Sequence, residues 1–237
     1  MGIVRNMAVV FVLLSCVVSG RAQQQPPEDP EDDKQIGLWL DQGISAGLSD
    51  SKSLEFEVHE RFDDIDSNLY EYFFQGGMAF RVRPWLTITP SYRYQRFPGN
   101  PKTDYENRLL LNLTLSTSRG PWRPNFRTII EERFPDNRPA FTRLRFRPGV
   151  DYTLPFSISG RRPALVASNE FFFVPVNDSF RTGGSFVQDR VQIGVRFPVS
   201  NSCSIRPYYL YQLVNLPGGW DGNSIVGISL TFKILKK

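Results

Sequence analysis

The chain has 237 residues, 41% hydrophobic and 14% aromatic, with a formal net charge of +4. A mean hydropathy of −0.30 excludes a bundle of membrane helices. One histidine and two cysteines, Cys16 and Cys203, exclude a disulfide framework and most zinc or cysteine chemistry. The basic residues alternate with apolar ones and form no patch, so no nucleic-acid partner is expected.

Residues 1–22 begin with Arg5, continue through an apolar run from Met7 to Val18, and end in the small residues Ser19, Gly20 and Ala22. This is the layout of a secretory signal peptide cut after Ala22. A rival reading takes Leu13-Leu14-Ser15-Cys16 as a lipobox with Cys16 lipidated. Residues 23–34 (QQQPPEDPEDDK) are acidic and Pro-rich and read as a disordered linker. Residues 35–237 read as one domain.

From Ile36 onward the hydrophobic period is two, the period of strands whose successive side chains point to opposite faces. A first row sets Ile36, Leu38, Leu40 and Ile44 against Trp39. After a turn at Asp50-Ser51-Lys52, Leu54, Phe56 and Val58 alternate with Glu55, Glu57, His59 and Arg61. Tyr70 to Val82 and Leu86 to Gln95 follow, joined by a tight turn at Arg83-Pro84. Leu109, Leu111, Leu113 and Leu115 then oppose Arg108, Asn112 and Thr114, and Phe126 and Ile130 oppose Arg127, Glu131 and Arg133.

The clearest copy is Thr142 to Leu154, where Leu144, Phe146, Val150 and Tyr152 alternate with Arg143, Arg145, Arg147 and Asp151. Ala164 to Val174 is apolar on both faces but keeps Glu170. Val191 to Phe197 alternates with Arg190, Gln192 and Arg196, Ile205 to Leu213 with Arg206, Tyr208 and Gln212, and a last apolar row runs from Val226 to Ile234. About eleven strands result, many near the ten residues that a tilted strand needs to cross a bilayer. The expected fold is all-β: an antiparallel up-and-down transmembrane β-barrel of about 10–12 strands, an even number being usual in bacterial single-chain barrels.

Short turns near Arg83, Gly120, Gly160 and Ser200 alternate with loops near Asn100, Asp136, Asp178 and Gly219. Periplasmic turns and extracellular loops alternate in this way. Carried back, the scheme starts the first strand outside, which conflicts with an even count. The last strand holds Gly227, Leu230 and Phe232, a spacing that resembles the C-terminal signal of outer-membrane assembly. It departs from that signal at Ile225 and in the trailing Lys236-Lys237. The expected location is therefore the cell outer membrane, with the periplasm as second choice. The expected partners are outer-membrane lipid and the assembly machinery, and the expected state is a monomer. A soluble periplasmic ligand-binding β-protein is the alternative.

Several segments together resemble the bacterial domain-of-unknown-function family 2490. They are Ile36-Gly37-Leu38-Trp39-Leu40, the stretch Glu71 to Tyr94 ending in Tyr-Arg-Tyr, Asn107-Arg108 before a leucine-alternating strand, Arg143 to Tyr152, and Asn223 before the last strand. The resemblance runs from about Gln35 to Phe232 and implies an exported, barrel-like outer-membrane protein. It implies no reaction.

The polar face places Glu55, Glu57, His59, Arg61, Arg93, Arg108, Arg127, Glu131, Arg143, Arg145, Arg147, Asp151, Glu170, Arg190, Arg196 and Arg206 in the lumen, with Glu71 and Arg133. Arginine pairs carboxylates in forked geometry, so the first reading is a structural ion-pair network. A narrow, weakly anion-preferring pore is the second. A lipid-modifying enzyme using His59 is the third. Glu60 points away from His59, and Glu131 and Glu132 face opposite sides, so neither pair forms an acid–base couple within a strand. Asp63, Asp64 and Asp66 read as a solvated loop. No catalytic residue, metal or cofactor is expected.

Overall fold

The computed structural model describes residues 36–63, 68–100, 103–175, 186–216 and 218–234. The signal-peptide, lipobox and linker expectations lie outside these residues, as do Asp64 and Asp66. Eleven strands follow one another: β1 (Ile36–Ser49), β2 (Lys52–Phe62), β3 (Leu69–Arg83), β4 (Leu86–Arg96), β5 (Tyr105–Ser116), β6 (Trp122–Pro135), β7 (Phe141–Thr153), β8 (Ala164–Phe173), β9 (Phe186–Pro198), β10 (Cys203–Leu216) and β11 (Gly219–Ile234). Each bonds to its neighbours in sequence, and β1 closes on β11.

The period-two pattern explains both the strands and the way they curl. On β5 the outward Leu109, Leu111 and Leu115 are 56%, 38% and 41% exposed, whereas the inward Arg108 and Asn112 are 4% and 7% exposed. A water-soluble sandwich would show the reverse. Leucine outside and arginine inside on one strand is the alternation expected of a wall whose outer face meets an apolar medium. Trp85 and Trp122 stand exposed at the turn end. At the loop end, Phe173, Phe186 and Trp220 form a chain of ring contacts, each step 5.2 Å. Aromatic rings at both rims of an apolar band are the usual anchors of a membrane barrel.

Closure departs from a purely antiparallel barrel. Strands that simply alternate direction leave the first and last of an odd number running the same way. So β1 and β11 pair in parallel, with Trp39 beside Gly227, Asp41 beside Ser229 and Ile44 beside Phe232. All other neighbouring pairs are antiparallel. The conflict between strand parity and loop placement disappears: β1 does start at the loop end, and the count is eleven.

Two glycines beside this seam place a functional ring. Tyr208 on β10 lies between Gly194 on β9 and Gly227 on β11. A Cβ on Gly194 would sit 2.6 Å from the Pro207 carbonyl oxygen, and one on Gly227 would collide with the Tyr208 ring. The ring therefore lies flat along the inner wall, where its hydroxyl reaches β1.

Gly227→Val should push Tyr208 off the wall and lower stability by about 1–3 kcal/mol, as overpacking does. Gly76→Ala, whose Cβ would meet nothing within 4 Å, should leave stability unchanged. Urea unfolding of the micelle-folded protein, followed by tryptophan fluorescence, compares the two.

Candidate functional site: the arginine-rich lumen

The alternating polar residues converge on a cavity of about 480 Å³. It is lined by Glu55, Glu57, His59, Arg61, Arg93, Arg108, Arg127, Arg143, Arg145, Arg147, Glu170, Arg190 and Arg206. Glu131 lies buried in the wall beneath it. Asp151 and Arg196 pair with each other at 2.8 Å, toward the turn end.

One side of the lumen is an ion-pair ladder across β5 to β8. Glu106 binds both Arg133, through a short bidentate contact, and Arg108 at 2.7 Å. Glu131, fully buried, accepts from Arg143 Nε at 2.7 Å and from Arg145 Nη1 at 2.5 Å. Arg145 also donates to Glu170 through Nε and Nη2, at 3.0 and 2.7 Å. These contacts follow from register, since Glu131 lies directly opposite Arg143. The apolar inward residues of β8 have a role in the same ladder. Phe172, fully buried, lies about 5 Å beneath the guanidiniums of Arg143, Arg145 and Arg190. Stacking on a ring face suits the flat, weakly hydrated guanidinium.

The opposite side is built on β1 to β3. His59 Nδ1 sits 2.6 Å from Asp41 Oδ1, and Nε2 sits 3.3 Å from Glu57 Oε2. The Tyr208 hydroxyl donates to the other Asp41 oxygen at 2.7 Å. The imidazole stacks on Phe73 at 4.1 Å. Arg61 pairs with Glu71 and lies 4.0 Å over the Trp39 ring, whose indole N–H donates to Tyr70 at 3.1 Å. Arg190 reaches Trp39 from β9, at 5.0 Å. Such contacts skip strands and narrow the lumen.

The charges do not balance. Ten arginines line the cavity against five carboxylates, Asp41, Glu55, Glu57, Glu71 and Glu170. Glu106 and Glu131 in the wall add two negative charges, so, leaving His59 aside, three positive charges remain. Arg147 takes neutral partners, Gln192 at 2.7 Å and Ser168 at 3.2 Å, because Glu170 is already turned to Arg145. Arg93 likewise bonds Gln75, and Arg190 bonds Gln212.

The alternation does not single out Asp41, Glu106 or Gln75, and it sets Tyr208 in the inward row of β10 without a role. Glu106 shares the parity of Arg108, and a strand begun two residues earlier would have included it. Asp41 shares the parity of Trp39. Nothing local shows that it meets Tyr208, because that contact crosses the closing seam. Among the described residues no group of three His, Cys, Asp or Glu side chains is placed to hold a metal ion.

The family model described as a protein of unknown function (DUF2490) matches residues 36–223. No curated protein matches the chain. Among solved structures the chain is similar to LpxR from Salmonella typhimurium, at 11% identity and a TM-score of 0.47, over 77% of this chain and 83% of that one.

Removing one partner of a buried ion pair typically costs about 3–5 kcal/mol. Glu131→Gln should approach that loss, because Arg143 and Arg145 share its carboxylate. Glu55→Gln, whose carboxylate bonds serine hydroxyls and no arginine among the described residues, should cost about 1 kcal/mol or less. Urea midpoints of the two variants in micelles distinguish them.

Proposed function

Because the chain belongs to the DUF2490 family of proteins of unknown function, we propose a role from the barrel itself: a monomeric outer-membrane protein, exported by its amino-terminal segment. Its lumen is a crosslinked, anion-preferring compartment that conducts slowly, and it catalyses no reaction. The carrying observation is the inversion of the wall, with leucine outside and arginine inside on the same strands. Lipid is then the outer partner, and the assembly machinery is the partner during insertion.

The anion preference follows from the surplus of guanidiniums, since rings of arginine favour anions and repel cations. The slow conductance follows from the contacts that cross between non-adjacent strands, Arg190 with Trp39 and Asp41 with Tyr208. The absence of catalysis is supported by the surroundings of His59. A nucleophile needs a base with one nitrogen turned to it. Both ring nitrogens of His59 instead face carboxylates, Asp41 and Glu57.

The protein should fractionate with the outer membrane and migrate faster in gels before boiling than after. In planar bilayers it should give small, anion-selective currents. A soluble periplasmic pool without heat-modifiable migration would overturn the location, and large or cation-selective currents would overturn the lumen reading. A strain carrying His59→Ala should keep the lipid composition of its parent; altered lipid acylation, shared with a deletion strain, would establish an enzyme instead.

A further inference from the structure

We propose that the lumen holds a binding site for a phosphate dianion, formed by Arg127 on β6, Arg147 on β7 and Arg206 on β10. The inference deepens the reading of the lumen as an anion-preferring compartment and rests on it.

Arg127 and Arg147 are direct cross-strand partners. Like charges placed opposite each other repel, and such a pair persists where something compensates it. Arg147 is the neighbouring charge that weighs most on Arg127, ahead of Glu170 and Glu57, and most on Arg206, ahead of Asp41. The carboxylates around it are committed elsewhere. Glu170 is held by Arg145, Glu57 lies against His59, Asp41 binds His59 and Tyr208, and Asp151 binds Arg196. Arg127 and Arg206 make no salt bridge among the described residues, and Arg206 Nε is buried without a hydrogen-bond partner there. All three side chains line the cavity.

The chemistry of the ligand follows from the donors. A guanidinium stays charged and presents a rigid fork of N–H groups. Three guanidiniums that line one cavity from three strands suit a compact group with several equivalent oxygens and more than one negative charge. A phosphate or phosphomonoester has that form, whereas chloride offers no paired acceptors and a carboxylate offers two. The ligand can be free phosphate or the exposed phosphate of a lipid headgroup, since both present the same oxygens.

The test uses the full mature chain folded in neutral-detergent micelles, with calorimetric titration at constant ionic strength. Sodium phosphate is one ligand and dihexanoyl phosphatidic acid the other, with chloride as the background salt. Wild type should bind phosphate saturably. Arg127→Gln and Arg147→Gln, with folding checked by heat-modifiable migration, should each bind about tenfold more weakly, the loss of one charge-assisted contact. Arg206→Lys keeps the charge without the fork and should also weaken binding; it serves if a glutamine variant fails to fold. Arg119→Gln, on the exposed turn before β6, should bind as wild type does. Binding of phosphatidic acid without inorganic phosphate would assign the site to a lipid headgroup. No saturable binding of either ligand, undiminished binding in the folded lumen variants, or equal loss in Arg119→Gln would each overturn the site. Because none of these readouts depends on location or current, they separate failure of the site from failure of the proposed function.

Discussion

A guanidinium inside a closed barrel stays charged, and the rest of this wall is arranged around that constraint. A buried lysine can shed its proton, but arginine holds its own across the accessible pH range. Each inward arginine therefore needs a carboxylate, an aromatic face or a polar cavity. All three solutions occur within one stretch of β7. Arg143 shares Glu131, Arg145 bridges Glu131 and Glu170 over the Phe172 ring, and Arg147 opens toward the cavity with amide and hydroxyl partners. The carboxylates are the scarcer component, and how they are distributed decides which part of the lumen is rigid and which carries uncompensated charge.

The outer surface imposes the complementary condition. In lipid every backbone polar group must bond within the wall, which leaves closed barrels as the only spanning sheets. Closure with eleven strands is possible only through a parallel seam. That seam brings β1 next to β11 and within reach of β10, and so places Asp41 against Tyr208 and completes the surroundings of His59. The histidine site is thus a product of closure, whereas the ladder on β5 to β8 is a product of local pairing.

This difference explains how much was readable in the sequence. Arg143, Arg145 and Arg147 declare their face through strict alternation with Leu144 and Phe146, and the neighbours Glu131 and Glu170 follow from counting back and forward across short connections. The apolar character of β8 on both faces was legible but unexplained. Its cause, guanidiniums stacked on Phe172, depends on three side chains from two other strands. Asp41 stayed hidden because its partners are 18 and 167 residues away. Strand parity is hard to read for a related reason: local patterns count about eleven strands, but the direction of the closing pair is a property of the whole chain.

The parallel seam also bears on how such a wall is put together. In an even up-and-down barrel the two ends of the sheet meet antiparallel, and in an odd one they meet in parallel. Here Ile36 lies at the loop end and Ile234 at the turn end. As in any closed up-and-down sheet, β1 and β11 each have one sequence neighbour, and their outer edges keep unpaired N–H and C=O groups until the two ends of the sheet meet. The final register, Trp39 against Gly227 and Asp41 against Ser229, has no turn to guide it. Beside the backbone ladder, the Tyr208 ring lying over Gly227 and its hydroxyl on Asp41 mark that register. The same tyrosine that furnishes the lumen thus ties β10 to β1 across the seam.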